Sequence, residues 1–187
     1  MHISLRGITR SFGATLANDA VDLDLAPGRV TALLGENGAG KSTLMKILFG
    51  FHRPDAGEIR IDGVPVNIAS PRAATALGIG MVFQQFSLIP ALTVRENLAL
   101  AHPGTPWWLG RGARAFVDPI GRLREIAPEI DPDTPVARLA VGEMQLVELV
   151  KVLNLEARAV ILDEPTSVLT PATTGSRGAP ARGSRAP

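Results

Sequence analysis

Nine residues constrain this chain more than any others: GENGAGKST, Gly35 to Thr43. They satisfy G-x-x-x-x-G-K-[ST] at Gly35, Gly40, Lys41 and Ser42, a match expected by chance roughly 0.3% of the time in a chain of this composition. The flanks agree with the motif. Arg29–Leu34 (RVTALL) reads as a buried strand before it; Leu44, Ile47 and Leu48 recur at helical spacing after it, with Gly50 at the stop. Glycines let backbone N–H groups turn inward around a polyanion, and a helix starting at Lys41 aims its unpaired N–H groups and positive dipole end at the same point. Lys41 can reach terminal phosphates and the Ser42 hydroxyl can ligate Mg²⁺. The chain is therefore expected to be α/β, with a triphosphate held between a strand and a helix.

The remaining segments alternate short runs with turns. His2–Leu5 and Val21–Leu25 alternate apolar and polar residues as half-buried strands do. Gly57–Ile61 and Val64–Ile68 flank Asp62-Gly63, a strong hairpin signal. Ser70 is placed to cap a helix with Pro71 at its first position and Gly78 as its stop, and Ile79–Phe83 reads as a strand. Helices are expected over Thr93–Ala101, Val117–Ala127 and Gly142–Leu155, the last from Leu146, Leu149, Val150 and Leu153 at i, i+3, i+4, i+7. Between the first two, His102–Arg114 is rich in Gly and Pro, carries Trp107 and Trp108, and reads as an irregular excursion. Pro171–Pro187 contains only Pro, Gly, Ala, Ser, Thr and Arg, too little apolar surface to offset its ordering entropy, so a disordered tail is expected.

A second chemical site lies at Ala159–Leu162, an apolar strand ending on Asp163-Glu164. Ligands gather at the carboxyl ends of strands in open α/β sheets. An Asp there can hold Mg²⁺ through water, and an adjacent Glu can polarise an attacking water. Composition mainly excludes. Without cysteine there is no disulfide scaffold or thiolate metal site, and a net charge of +1 gives no field that argues for nucleic acid. No run approaches ~18 apolar residues and the amino terminus has no apolar h-region, which leaves a soluble cytoplasmic domain as the expectation.

Taken together, these residues resemble the ATP-binding subunit of an ABC transporter, over Met1 to about Pro171. The glycine loop is similar to the Walker A motif, and VILDEPTSVL (Val160–Leu169) to Walker B with the D-loop. VFQQ (Val82–Gln85) resembles the Q-loop, and LAVGEMQ (Leu139–Gln145) sits where the signature motif belongs. The wording of GENGAGKSTLMKIL, GIGMVFQQFSLIPALTVRENL and VLTP is similar to importers of simple sugars and nucleosides. The resemblance implies a P-loop NTPase core with an antiparallel β subdomain and a helical subdomain, the C-terminal part of the core missing. Residues 1–170 would form the truncated ATPase domain: 1–84 the β subdomain and phosphate-loop core, 85–155 the helical and signature region, 156–170 Walker B and the D-loop. Residues 171–187 would be the tail.

The resemblance also implies roles. ATP would be bound by Gly35, Glu36, Asn37, Gly38, Ala39, Gly40, Lys41, Ser42 and Thr43. Phe12, 29 residues before Lys41, stands where the family stacks an aromatic on adenine; a plain core phenylalanine is the alternative. Mg²⁺ would be held by Ser42, Asp163 and Gln84, with Gln84 rather than Gln85 also touching the attacking water and linking the site to a transmembrane permease. Glu164 would be the catalytic base. Ala140, Val141, Gly142 and Glu143 would contact ATP held by a second ABC ATPase domain. The implied function is an ATP hydrolase energising import of a small solute, a simple sugar or nucleoside, at the cytoplasmic face of the membrane. The alternative is a catalytically incompetent nucleotide-binding fragment. A soluble ABC protein acting on nucleic acid is disfavoured by the importer-like wording around Gln84.

Three departures bear on that choice. The signature serine is Ala140; losing a hydroxyl that bonds a charged γ-phosphate removes roughly 1.5–3 kcal/mol, about 10- to 150-fold. Leu146 stands where the family usually has arginine. The family also continues beyond its D-loop to a strand ending in a switch histidine, whereas His2, His52 and His102 all precede Asp163. In the related fold that strand lies between the strands leading to Lys41 and to Asp163, so its loss would leave two central strands with unpaired backbone groups. The change of composition after Pro171 is expected to mark a frameshift or premature end.

Overall fold

The computed structural model describes residues 1–83, 85–101 and 119–163. A four-stranded antiparallel sheet is built from β1 (Ile3–Phe12), β2 (Thr15–Leu25), β3 (Ala56–Ile61) and β4 (Val64–Val66), in the order β2-β1-β3-β4. Apolar Ile3, Leu5 and Ile8 of β1, with Ile59 and Ile61 of β3, point into one core. α1 (Lys41–Leu48) lays Leu44, Ile47 and Leu48 against the same core, as their spacing requires. α2 (Pro71–Ala76) starts at Ser70, whose Oγ accepts the Ala73 N–H at 3.2 Å.

β1 and β2 are longer than the alternation predicts, which ended them at Leu5 and started again at Val21. They close at Phe12 and Thr15 through Gly13, at φ +58°. Register shifts between Leu5 and Ser11 break the period of two, which is why the pattern faded there. β4 stops at Val66, short of the expected Ile68.

β5 (Ile79–Val82) and β6 (Ala159–Leu162) form a two-stranded parallel sheet, pairing Ile79 with Ala159 and Val82 with Leu162. α5 (Val141–Asn154) packs across it. A Cβ on Gly80 would lie 2.2 Å from Val152 Cγ1, so only glycine admits the helix at that height. α3 (Val94–Ala101) and α4 (Gly121–Ile126) join the other end of α5 in a second core of Leu88, Val94, Leu98, Leu123, Val147 and Val150. α5 lays Val152 against β5 at Gly80 and Val147 and Val150 into the second core, so it buries Val147, Glu148, Val150 and Val152; of the expected stripe Leu146, Leu149, Val150 and Leu153 only Val150 is fully buried. α4 begins at Gly121, later than expected; Val117 and Asp118 lie outside the described residues, as do His102–Arg114 with Trp107 and Trp108, and Pro171–Pro187.

The largest correction concerns Arg29–Leu34. It forms no strand, and Val30 and Leu34 are 101% and 89% exposed; only Leu33 packs on the first core. A strand needs a ladder, and among the described residues none runs beside this segment, while β6 is paired only on its β5 side. Val30→Lys is therefore expected to change stability by less than about 0.5 kcal/mol. Thermal melting checks this: a drop of several degrees would mean that the segment is packed.

Candidate nucleotide site

The glycine loop runs from Gly35 into α1 and is open to solvent from Leu34 to Ala39. Gly40 is the N-cap of α1 in the left-handed conformation (φ +81°), and a Cβ there would lie 2.0 Å from the Ala17 carbonyl oxygen. Glycine is thus required by conformation and by space. Lys41 Nζ curls back and donates to the Gly35 and Glu36 carbonyls at 2.6 and 2.7 Å, placing the ammonium at the mouth of the loop. Glu36, Asn37, Gly38 and Ala39 make its outer rim, closed by Ala39 N–H donating to Glu36 O at 3.2 Å. Ser42 and Thr43 occupy the first turn of α1, which carries no acidic residue to compete with an anion.

β6 delivers Asp163 to the same place. The Ser42 hydroxyl lies 3.4 Å from Asp163 Oδ1 across 121 residues of sequence. A hydroxyl and a carboxylate brought together are the hard oxygen donors that a small divalent cation would take. Glu164 and Gln84 lie outside the described residues, next to Asp163 and Phe83 respectively.

Phe12 ends β1 and is 42% exposed, so the core alternative is set aside. Arg10 lies over its ring at 4.8 Å and His52 meets it edge-on at 5.2 Å. Asp55 fixes this corner, accepting from Ser11 N at 2.7 Å and Arg10 Nη1 at 2.6 Å. The Ser11 N–H first, and then Arg10, hold the Asp55 carboxyl below the usual carboxylate range.

Ala140 is the N-cap of α5, with Val141, Gly142 and Glu143 in its first turn. Glu143 accepts the Ala140 N–H at 2.7 Å, but alanine has no hydroxyl to return the bond to the Glu143 N–H, so half a capping box is present. Ala140→Ser completes it and is expected to stabilise the chain by about 1 kcal/mol, a rise of about 2–4 °C in Tm for a chain of this size. No rise would show that the cap geometry is not as described.

Two features escaped the sequence. Asn18 of β2 donates to the Gly40 carbonyl at 3.2 Å. Buried Glu148 of α5 accepts from the Ser87 N–H and hydroxyl and pairs with Lys151, tying the segment just after Gln84 to α5. The Glu148-Lys151 spacing resembles any exposed helical ion pair, and Asn18 sits in a run whose alternation had already faded.

The loop, the acidic strand end and the order of elements now stand together, and the ABC transporter family pattern matches residues 18–167. The chain belongs to the ABC transporter family. It is 47% identical over 170 residues to the ribose import ATP-binding protein RbsA 1 of Rubrobacter xylanophilus, covering 90% of this chain and 34% of that protein. It is 44% identical over 176 residues to the ribose import ATP-binding protein RbsA of Chromobacterium violaceum, again covering 34% of the relative. This ABC chain therefore spans about a third of the length of these relatives. Among solved structures it is similar to a nucleotide-free ATP-binding cassette of an ABC transporter (26% identity, TM-score 0.69, 87% of this chain and 69% of that one). It is also similar to the ADP conformation of another such cassette (27%, TM-score 0.71, 89% and 70%). No described helix is long and apolar enough to cross a membrane.

Proposed function

We propose that this chain is the nucleotide-binding part of an ATP-driven importer of a small sugar. The observation that carries the reading is the meeting of Ser42 and Asp163 at the mouth of the glycine loop. The relatives' names add the ribose import context. The N–H groups of Gly38–Thr43 and the Lys41 ammonium grip the β- and γ-phosphates, and Phe12 offers a face to adenine. Ser42, Asp163 and Gln84 would hold Mg²⁺, which would supply charge neutralisation on the phosphoryl oxygens. Glu164 accepts the proton of the attacking water. Ala140–Glu143 faces the nucleotide of a second ABC ATPase domain, and the pair works on transmembrane permease subunits at the cytoplasmic face of the membrane.

Two observations favour a second reading, in which the chain binds nucleotide without turnover: Arg29–Leu34 has no ladder among the described residues, and position 140 is an alanine without the signature hydroxyl. Phosphate release from Mg·ATP by the purified chain, lost in Glu164→Gln, supports the importer ATPase. Nucleotide-dependent melting without phosphate release supports the binding fragment.

A further inference from the structure

Asn18 belongs to none of the motifs above, yet its side chain hydrogen-bonds the phosphate loop. It is 5% exposed on β2, and its Nδ2 donates to Gly40 O at 3.2 Å. That carbonyl also accepts the Leu44 N–H at 2.9 Å, the first hydrogen bond of α1. Gly40 is pressed against the Ala17 carbonyl next door, so β2 and the helix start meet backbone to backbone. The other end of the carboxamide, Oδ1, is buried and has no hydrogen-bond partner among the described residues. A buried acceptor left unpaired lowers stability, so fold stability alone does not account for an amide here.

We propose that Asn18 is a positioning residue for the triphosphate: it fixes the Gly40 peptide so that the N–H groups opening α1 face the anion. The inference rests on reading Gly35–Thr43 as a nucleotide site. The peptide that Asn18 holds is the hinge between the loop and the helix, and its tilt sets where the next N–H groups of Lys41, Ser42 and Thr43 point. The same hairpin carries Phe12 at its turn, so one element positions both ends of a nucleotide.

Asn18→Leu keeps the branched heavy-atom outline, removes the donor and removes the orphan acceptor. Binding of inorganic tripolyphosphate and of Mg·ATP to the whole chain, by calorimetry, tests the idea alongside unliganded melting. The variant is expected to melt at the wild-type temperature or above, yet to bind tripolyphosphate and Mg·ATP each about 3- to 10-fold more weakly. Phe12→Ala is the control on the same hairpin and should weaken Mg·ATP alone. Should Asn18→Leu fail to fold, Asn18→Ala removes the donor without adding charge, and its tripolyphosphate affinity should fall as far. Unchanged affinity in a folded variant overturns the inference and leaves the nucleotide reading intact. A weakening confined to Mg·ATP overturns it too, since the effect would then lie at the base. Absence of tripolyphosphate binding by the wild type would remove the nucleotide reading itself.

Discussion

Lys41→Ala is expected to abolish the protection that Mg·ATP gives this chain against heating. The ammonium rests on the Gly35 and Glu36 carbonyls in an exposed loop, so removing it barely alters the unliganded fold. Toward a triphosphate the same group makes charge-assisted bonds worth roughly 1.5–3 kcal/mol, or about 10- to 150-fold in affinity. At a ligand concentration of about 100 Kd the wild type gains roughly 2.7 kcal/mol; a 100-fold weaker variant at the same concentration gains about 0.4. With about 2–4 °C per kcal/mol, a shift of some 5–10 °C shrinks to about 1 °C. Scanning calorimetry with and without Mg·ATP checks this, and an undiminished shift in the variant means that Lys41 does not face the nucleotide.

Asp163→Ala is expected to uncouple nucleotide from metal. With Asp163 in place its carboxylate repels a bare triphosphate and attracts the cation bridging it, so ATP should bind far better with Mg²⁺ than with EDTA. At an effective dielectric of about 20, unit charges ~4 Å apart interact by up to ~4 kcal/mol. Even half of that makes the Mg²⁺ preference some 30-fold. In the variant the preference should fall to within a few fold, from both sides: Mg·ATP binds more weakly and metal-free ATP more tightly. Weaker binding of both forms by the same factor would instead assign Asp163 a structural role beside Ser42.

The sequence spoke most clearly where local chemistry and structure coincide. Ser70-Pro71, Asp62-Gly63 and the Gly40-Lys41 step each carry their own conformational reason: α1 and α2 begin, and β3 turns into β4, where those reasons put them. That Ser42 and Asp163 lie together was legible in two short strings, and the two side chains do meet, 3.4 Å apart. What could not be read depends on neighbours distant in the chain. RVTALL has the composition of a buried strand, but burial needs flanking strands; among the described residues none flanks it, and Val30 and Leu34 stand exposed. The buried face of α5 differs from the expected stripe because the helix packs on β5 through Val152 as well as on the second core through Val147 and Val150. Asn18 was invisible because its task is set by a carbonyl 22 residues away.

Titrating the purified, folded chain with ATP in Mg²⁺ by calorimetry tests the central claim most directly. Saturable heat approaching one nucleotide per chain, greatly reduced when EDTA replaces Mg²⁺, is what the loop and Asp163 together predict. Folded protein that gives no heat with Mg·ATP, or the same heat with and without the metal, would contradict it.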